Sequence, residues 1–240
     1  IQGADSHTIV VADNTISGPF WDGVGNAGNS FGNGLAENSD VARNTITGYQ
    51  DDSIELDGSA VNLRVWGNKA GSNNGQTLIS EAGTIVGPSY IFRNVLSNTA
   101  SNTSGMKQGN GGVGFSFIFH NVIENIGSGA NETVSQSGGP VYSENHVFRN
   151  NILRATGNIY RLEGRSNSYD YSVMWNPGYL LINLWNSSTD YSTLAAFQSA
   201  TGQELHGIYA DPLLNADKTL QSASPAKDIG LALANFNSAD

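Results

Sequence analysis

One four-residue pattern recurs along this chain of 240 residues and limits what it can fold into. A β-branched residue is followed by two variable positions and then by asparagine. Successive asparagines are separated by 30, 24, 26, 27, 29 and 26 residues. This regular spacing predicts a solenoid, in which each repeat adds one coil and buries its apolar residues against its neighbours. The seven copies end at Asn14, Asn44, Asn68, Asn94, Asn121, Asn150 and Asn176.

Each asparagine is expected at the same corner of its coil. There it tolerates a left-handed backbone and hydrogen-bonds the asparagine of the next coil. An apolar residue usually follows two positions after each asparagine. These apolar residues are Ile16, Ile46, Ala70, Leu96, Ile123 and Ile152.

The repeated tetrad, with an asparagine ladder between the second and third strands of each coil, resembles the right-handed parallel β-helix family, which is pectate-lyase-like and carbohydrate-active. The resemblance covers roughly residues 8–180. It implies an all-β fold built as a single right-handed parallel β-helix of about seven coils. An antiparallel sandwich would instead show turn signals every 8 to 12 residues or so.

The repeat fades after residue 180, so we expect a parallel β-helix over 1–180 and a C-terminal capping segment over 181–240. Ser192 or Thr193 can cap a short helix, and Gly202 can end it. The capping segment is expected to cover the open edge of the last coil, where an exposed strand would invite other chains to pair.

Composition excludes some partners. A net charge of −10 makes nucleic acid or an anionic membrane an unsuitable partner, and no apolar run is long enough to span a bilayer. The chain begins without an initiator Met or a signal sequence, which suggests a trimmed chain or part of a longer multidomain protein. Many Asn, Ser and Thr residues with few Lys favour a secreted or extracellular location.

The candidate chemistry begins at "DDSIELDG", residues 51–58, where carboxylates alternate with two apolar residues. Counting back 13 residues from the ladder asparagines aligns Glu55, Glu81, Gln108 and Glu163, and a shift of one residue would exchange Glu81 for Ser80 and Gln108 for Lys107. The outward face expected to collect polar side chains comprises Asp51, Asp52, Glu55, Asp57, Glu81, Lys107, Gln108, Gln136, Arg161, Glu163 and Arg165. A solvated acidic strand edge is the alternative interpretation.

The resemblance implies first a polysaccharide lyase, because this activity is the one most often seen on the fold. A lyase removes a proton beside a uronate carboxylate, so Lys107 is the candidate base, and Arg161 or Arg165 would neutralise the acid. Asp51, Asp52 and Asp57, with Glu55 and Glu81 nearby, form a candidate Ca²⁺ site. The other residues expected to contact the polysaccharide are Gln108, Gln136, Tyr160 and Glu163.

Two alternatives stay open. A glycoside hydrolase would use paired carboxylates, with Glu55 and Glu81 one coil apart and Asp57 as a further candidate. A non-catalytic polysaccharide-binding or structural module would rely on aromatic side chains that stack on sugar rings. Those expected to be exposed are Trp21, Tyr49, Tyr160 and Trp175, whereas Trp66, Phe92, Phe119 and Phe148 are expected to stack as an aromatic ladder.

Overall fold

A computed structural model describes most of the chain, including every asparagine of the predicted ladder. The described residues are 8–25, 34–59, 61–75, 77–81, 87–108, 114–129, 131–136, 144–162, 166–177, 182–184 and 189–236.

The described residues contain 22 strands and one helix. The first eleven strands are β1 (Val10–Ala12), β2 (Thr15–Phe20), β3 (Asp40–Ala42), β4 (Thr45–Tyr49), β5 (Asp52–Glu55), β6 (Leu63–Trp66), β7 (Lys69–Gly71), β8 (Thr77–Glu81), β9 (Ser89–Phe92), β10 (Val95–Asn98) and β11 (Ser104–Gln108). The remaining elements are β12 (Ser116–Phe119), β13 (Val122–Asn125), β14 (Glu132–Gln136), β15 (His146–Arg149), β16 (Ile152–Ala155), β17 (Tyr160–Leu162), β18 (Ser168–Asp170), β19 (Val173–Trp175), β20 (Ile182–Leu184), β21 (Thr189–Tyr191), α1 (Leu194–Thr201) and β22 (Ile208–Tyr209).

These strands form three long sheets. Sheet A has the order β1-β3-β6-β9-β12-β15-β18, sheet B the order β2-β4-β7-β10-β13-β16-β19-β22, and sheet C the order β21-β20-β17-β14-β11-β8-β5. Every pairing is parallel except that of β20 with β21. The chain therefore visits the sheets in turn, and the fold is a parallel β-solenoid, as the repeat predicts. It has about five turns, slightly fewer than the expected seven.

Inward side chains from the three sheets meet in one apolar core. Val41, Val65, Ile91 and Ile118 lie in line on sheet A, and each is at most 1% exposed. Sheets B and C contribute further buried columns in the same way, so each coil's apolar face is covered by the coils above and below it. The buried residues of these two columns are Ile46, Leu96, Ile123 and Leu153 on sheet B, and Ile54, Ile79, Met106, Val134 and Tyr160 on sheet C.

The asparagine ladder lies at the corner between sheets A and B. From Asn14 through Asn121, each side-chain N–H donates to the Oδ1 atom of the next ladder asparagine at 3.0 Å. The backbone N–H of the same residue donates to that oxygen at 3.0–3.1 Å. The ladder thus satisfies polar groups that the corner buries. The prediction that the asparagines themselves are left-handed is wrong, because the residue before each one has the positive φ, for example 53° at Arg43 and 55° at Arg93.

The last two copies of the tetrad are misassigned by the sequence pattern. Asn121 bonds Asn151 rather than Asn150, because Phe148 takes the buried position that Ile118 occupies one coil earlier. In the following coil Ser172 stands at the ladder position, and Asn176 follows a strand of sheet B.

The expected aromatic ladder is correct only in part. The rings of Trp66 and Phe92 stack at 6.1 Å on the outside of sheet A. Phe148 instead points into the core and stacks on Tyr169 at 4.9 Å. Phe236, from the end of the chain, packs edge-on against Phe92 at 5.2 Å and Phe119 at 5.1 Å.

The solenoid continues past residue 180, since Ile182–Leu184 extends sheet C and Ile208–Tyr209 extends sheet B. Helix α1 lies between them, capped by the Thr193 side chain and ended by Gly202 at a φ of 68°. The remaining tail runs back over earlier coils, where the Nζ atom of Lys218 lies 2.5 Å from the Glu124 carboxylate. No helix among the described residues is long and apolar enough to cross a membrane.

Candidate active site

The register of sheet C decides which polar residues can meet. Lys107 pairs with Ser80 and Ser135, and these in turn pair with Glu55 and Arg161. This outward column alternates with the buried column that runs from Ile54 to Tyr160. The structure therefore adopts the alternative register, in which Ser80 and Lys107 take the places first counted for Glu81 and Gln108.

Four predicted site residues point into the solenoid, and for Glu81 and Gln108 the cause is the register shift, which puts Ser80 and Lys107 on the outward face instead. Glu81, Gln108 and Gln136 pair in register and are at most 2% exposed. Tyr160 is fully buried and donates a hydrogen bond to Glu204 at 2.6 Å. The expectation that Glu81, Gln108 and Gln136 lie on a shared outer face is wrong, and so is the expected exposure of Tyr49 and Tyr160, which are fully buried.

Glu81 instead begins a buried hydrogen-bond chain along the axis. Ser89 and Ser116 donate to its Oε1 atom at 2.8 and 3.0 Å, and Gln108 to its Oε2 atom at 3.3 Å. Burial raises the pKa of Glu81, which favours the neutral acid. Burial also lowers the pKa of nearby His146 to about 3, so this network holds neutral groups.

Three other carboxylates, Asp22, Asp52 and Glu55, form a cluster at the edge of sheet C where β5 lies. Asp52 is 2% exposed, and its Oδ2 atom lies 3.2 Å from the Nζ atom of Lys107, which reaches back from two coils away. Asp22, in the first coil, accepts the backbone N–H of Asp52 on its Oδ1 atom at 3.1 Å. Asp22 and Glu55 are both partly exposed, so the cluster has accessible acids beside a partly buried ion pair.

The first coil holds this cluster in place through backbone pairing. Val24 bridges to Ile54, and the Val24 carbonyl accepts the N–H of Glu55 at 2.8 Å. Gly25 packs directly on Glu55, because a Cβ atom added at this glycine would lie 2.6 Å from the Glu55 Cβ. A side chain at residue 25 would displace Glu55, so this glycine keeps the carboxyl in its position.

Burial and mutual repulsion shift the pKa values of the cluster. Burial raises the pKa of Glu55 to about 7, and Asp22 is the neighbouring carboxylate that adds most to this rise. Burial likewise raises the pKa of Asp52 to about 6, partly offset by Lys107, and the pKa of Asp22 is also raised by burial. Burial lowers the pKa of Lys107, but the surrounding carboxylates outweigh this effect and raise it above its ordinary value.

Two oxygens in the cluster have unmet hydrogen-bonding capacity. Within the described part of the chain, the Oδ1 atom of Asp52 and the Oε2 atom of Glu55 are buried without a hydrogen-bond partner. Such atoms are costly unless a ligand, water or proton satisfies them. A proton on Glu55 fits its raised pKa.

The remaining predicted site residues lie around or away from this cluster. Asp51 is partly exposed beside Asp52, and Asp57 is buried and accepts the Ser80 hydroxyl at 2.9 Å. Arg161 lies at the other end of the outward column, where its Nη1 atom is 3.8 Å from the Oε1 atom of Glu132. Glu163 and Arg165 lie outside the described residues.

The predicted Ca²⁺ site gains no support from this geometry. Among the residues that the structure describes, no three His, Cys, Asp or Glu side chains are grouped to hold a metal ion. The Lys107 ammonium already supplies a counter-charge to Asp52, where a cation would have to bind. The residues do not fit the metal well, and Ca²⁺ binding stays a prediction from the resemblance alone.

Sequence reasoning missed Asp22, which lies in the glycine-rich stretch "WDGVG", residues 21–25, beyond the acidic stretch itself. The signal that could have found it is its spacing from Asp52, since 30 residues also separate Asn14 and Asn44. Of the aromatic residues expected to be exposed, Trp21 is 67% exposed and adjoins Asp22, and Trp175 is partly buried.

Comparison of the chain with protein-family models, with curated proteins and with solved structures finds no match. The parallel β-solenoid is established by the strand pairing itself, and the functional inference rests on the cluster around Glu55.

Proposed function

We propose that the protein is a glycoside hydrolase that cleaves a polysaccharide, with Glu55 as the general acid and Asp22 as its ionised partner. The observation that carries the proposal is the environment of Glu55. Glu55 and Asp22 lie on neighbouring coils, and both carboxyls are partly exposed. The pKa of Glu55, about 7, keeps a proton available on this carboxyl near neutral pH. A glycosidase needs two such carboxyl groups in different protonation states.

The chemistry follows from these two states. Glu55 donates its proton to the glycosidic oxygen as the bond from that oxygen to the anomeric carbon breaks. Asp22 assists the anomeric carbon from the other side, by activating water or by forming a glycosyl ester that water then hydrolyses. Either route adds one water across the bond, and Glu55 regains its proton. The partly buried pair of Asp52 and Lys107 fixes the charge next to the reacting groups.

The same geometry favours hydrolysis over the lyase reaction. A lyase of the expected type needs Lys107 as a base, and a base must be able to lose its proton. The pKa of Lys107 is instead raised by Asp52 and the nearby carboxylates. The cluster is also acidic, which repels a polyuronate substrate.

The test is product analysis on a panel of neutral and acidic polysaccharides. We expect new reducing ends without the ultraviolet absorbance of unsaturated ends. Glu55→Gln and Asp22→Asn should each lower the rate by about 10²–10⁴-fold, the usual contribution of a positioned acid or base.

Glu37→Gln is the matched control, because Glu37 is an exposed glutamate on the same solenoid. Its rate should equal that of the parent protein. Unsaturated products, or a Glu55→Gln variant of full activity with an unchanged circular dichroism spectrum, would reject the hydrolase.

A further inference from the structure

Trp21 is an indole side chain left in water beside the acidic cluster. It is 67% exposed, the highest value among the large hydrophobic residues of the described chain. Trp66 and Trp175, by contrast, each pack against another ring, at 6.1 Å on Phe92 and 5.4 Å on Tyr209. No ring among the described residues packs on Trp21. A large apolar surface kept exposed in this way indicates a binding role more readily than a packing role.

The backbone fixes Trp21 next to the proposed catalytic acids. Its carbonyl accepts the N–H groups of Gln50 at 3.2 Å and Asp51 at 3.0 Å, so it lies one coil below the start of β5. Asp22 follows it directly and bonds the backbone of Asp52. The backbone of Trp21 is therefore held by hydrogen bonds one coil from the start of β5, directly before Asp22 in the chain.

The negative charge of the cluster indicates which class of sugar can bind there. Five carboxylates in and around the cluster interact electrostatically with Lys107, namely Asp22, Asp51, Asp52, Glu55 and Asp57. Lys107 already pairs with Asp52, so an anionic sugar finds no unpaired cation in the cluster. A neutral sugar ring can stack its apolar C–H face on an indole and place its hydroxyls toward carboxylates.

We propose that Trp21 is the stacking platform for a sugar ring bound beside Glu55 and Asp22, and that the substrate is a neutral polysaccharide. This inference rests on the proposed function for its choice of substrate class. It adds Trp21 as the residue that holds the sugar ring, whereas the carboxylates of the cluster disfavour an acidic chain.

The experiment measures binding separately from turnover. Affinity electrophoresis of the Glu55→Gln protein is run in gels that contain β-glucan, xylan or galactomannan, and in gels that contain polygalacturonate or alginate. We expect retardation in at least one neutral gel and none in the acidic gels. Adding Trp21→Ala should weaken that binding about tenfold, which equals about 1.4 kcal/mol, and Trp21→Phe should restore part of it.

Phe115→Ala is the control, because Phe115 is also an exposed aromatic residue, at 52%, but precedes a strand of sheet A. Its binding should be unchanged. Equal binding by the Trp21→Ala protein, binding to acidic polymers alone, or no binding to any polymer overturns the inference.

The two proposals fail in different ways. Hydrolysis that is unaffected by Trp21→Ala would reject the stacking role and leave the hydrolase intact. Binding to a neutral polymer that depends on Trp21, without any hydrolysis, would support the stacking role and make the protein a binding module. In an active enzyme, Trp21→Ala should raise KM and leave kcat little changed, because stacking holds ground state and transition state alike.

Discussion

Lys107 and Asp52 form an ion pair across two coils of the solenoid, with 3.2 Å between the Nζ and Oδ2 atoms. Asp52 is almost fully buried and Lys107 is about one-third exposed, at 33%. Because the partners come from β5 and β11, the pair exists only when the intervening coil is stacked in register. The ammonium partly offsets the burial that raises the pKa values of Asp52, Glu55 and Asp22.

The Lys107→Met variant separates the two candidate reactions. Burial raises the pKa of Glu55 to about 7 and Lys107 opposes that rise, so removing the ammonium should raise this pKa further. A hydrolase that needs Glu55 protonated should then stay active, with the alkaline limb of its kcat/KM profile moved from about 7 to higher pH.

Lys227→Met, which changes an exposed lysine in the tail, should leave the profile unchanged. A lyase that uses Lys107 as its base would lose activity at every pH, and that result would favour the lyase over the hydrolase.

Acidification from pH 8 toward pH 5 should add stability through Asp52 and Glu55, against the opposing effect of buried His146, whose pKa is lowered to about 3. The pKa of Asp52 rises from 3.8 to about 6 on folding and that of Glu55 from 4.5 to about 7, in both cases chiefly through burial. Acids with raised pKa values stabilise the fold while protonated, and this contribution is lost as the pH rises through about 6 and 7. The measurement is the midpoint of urea unfolding at each pH.

Glu55→Gln should weaken this dependence and raise the melting temperature at pH 8, by about 2–4 °C for each 1 kcal/mol gained. The Glu55→Gln variant should thus be less active but more stable, because a buried carboxyl that is needed for catalysis lowers the stability of the folded protein. The same pH dependence in the Glu55→Gln and parent proteins would show that the Glu55 carboxyl is not buried as described.

The architecture could be predicted from the sequence because one local signal, the asparagine corner, repeats once per coil. That signal fails where two asparagines are adjacent. At Asn150 and Asn151 only the buried position of Phe148 decides which one joins the ladder. In sheet C no corner residue repeats, so counting back from the ladder errs by one residue and places Glu81 outward, whereas its side chain points inward.

The alignment of Ile54, Ile79 and Met106 would have corrected that error, since all three are fully buried. Asp22 could not be found from local pattern, because its contact with Asp52 depends on the pairing of the first coil with β5. The site is therefore less predictable than the fold.

Glu81 tests the corrected register directly. Its carboxyl lies in the core and accepts hydrogen bonds from Ser89, Ser116 and Gln108, and burial raises its pKa. Glu81→Gln should keep most of these bonds and retain both fold and activity. Glu81→Ala should lower the free energy of unfolding by about 2–4 kcal/mol, because it leaves buried donors unpaired.

The readout combines turnover with urea unfolding of both variants. Loss of activity in a stable Glu81→Gln protein would place this residue back among the catalytic acids.

Asn94 lies in the middle of the ladder, and its loss should cost more than loss of the first member. Its Oδ1 atom accepts two N–H groups of Asn68, at 3.0 Å each, and its own side chain donates to the Val65 carbonyl at 2.9 Å. Asn94→Ala leaves these buried groups without partners, so we expect a loss of about 2–4 kcal/mol in the free energy of unfolding.

Asn14→Ala is the matched control, because Asn14 is exposed at the end of the ladder and loses only its own donations, to Asn44 and Ala12. Urea unfolding should rank Asn94→Ala well below Asn14→Ala in stability, and equal losses would mean that the ladder does not hold the coils together.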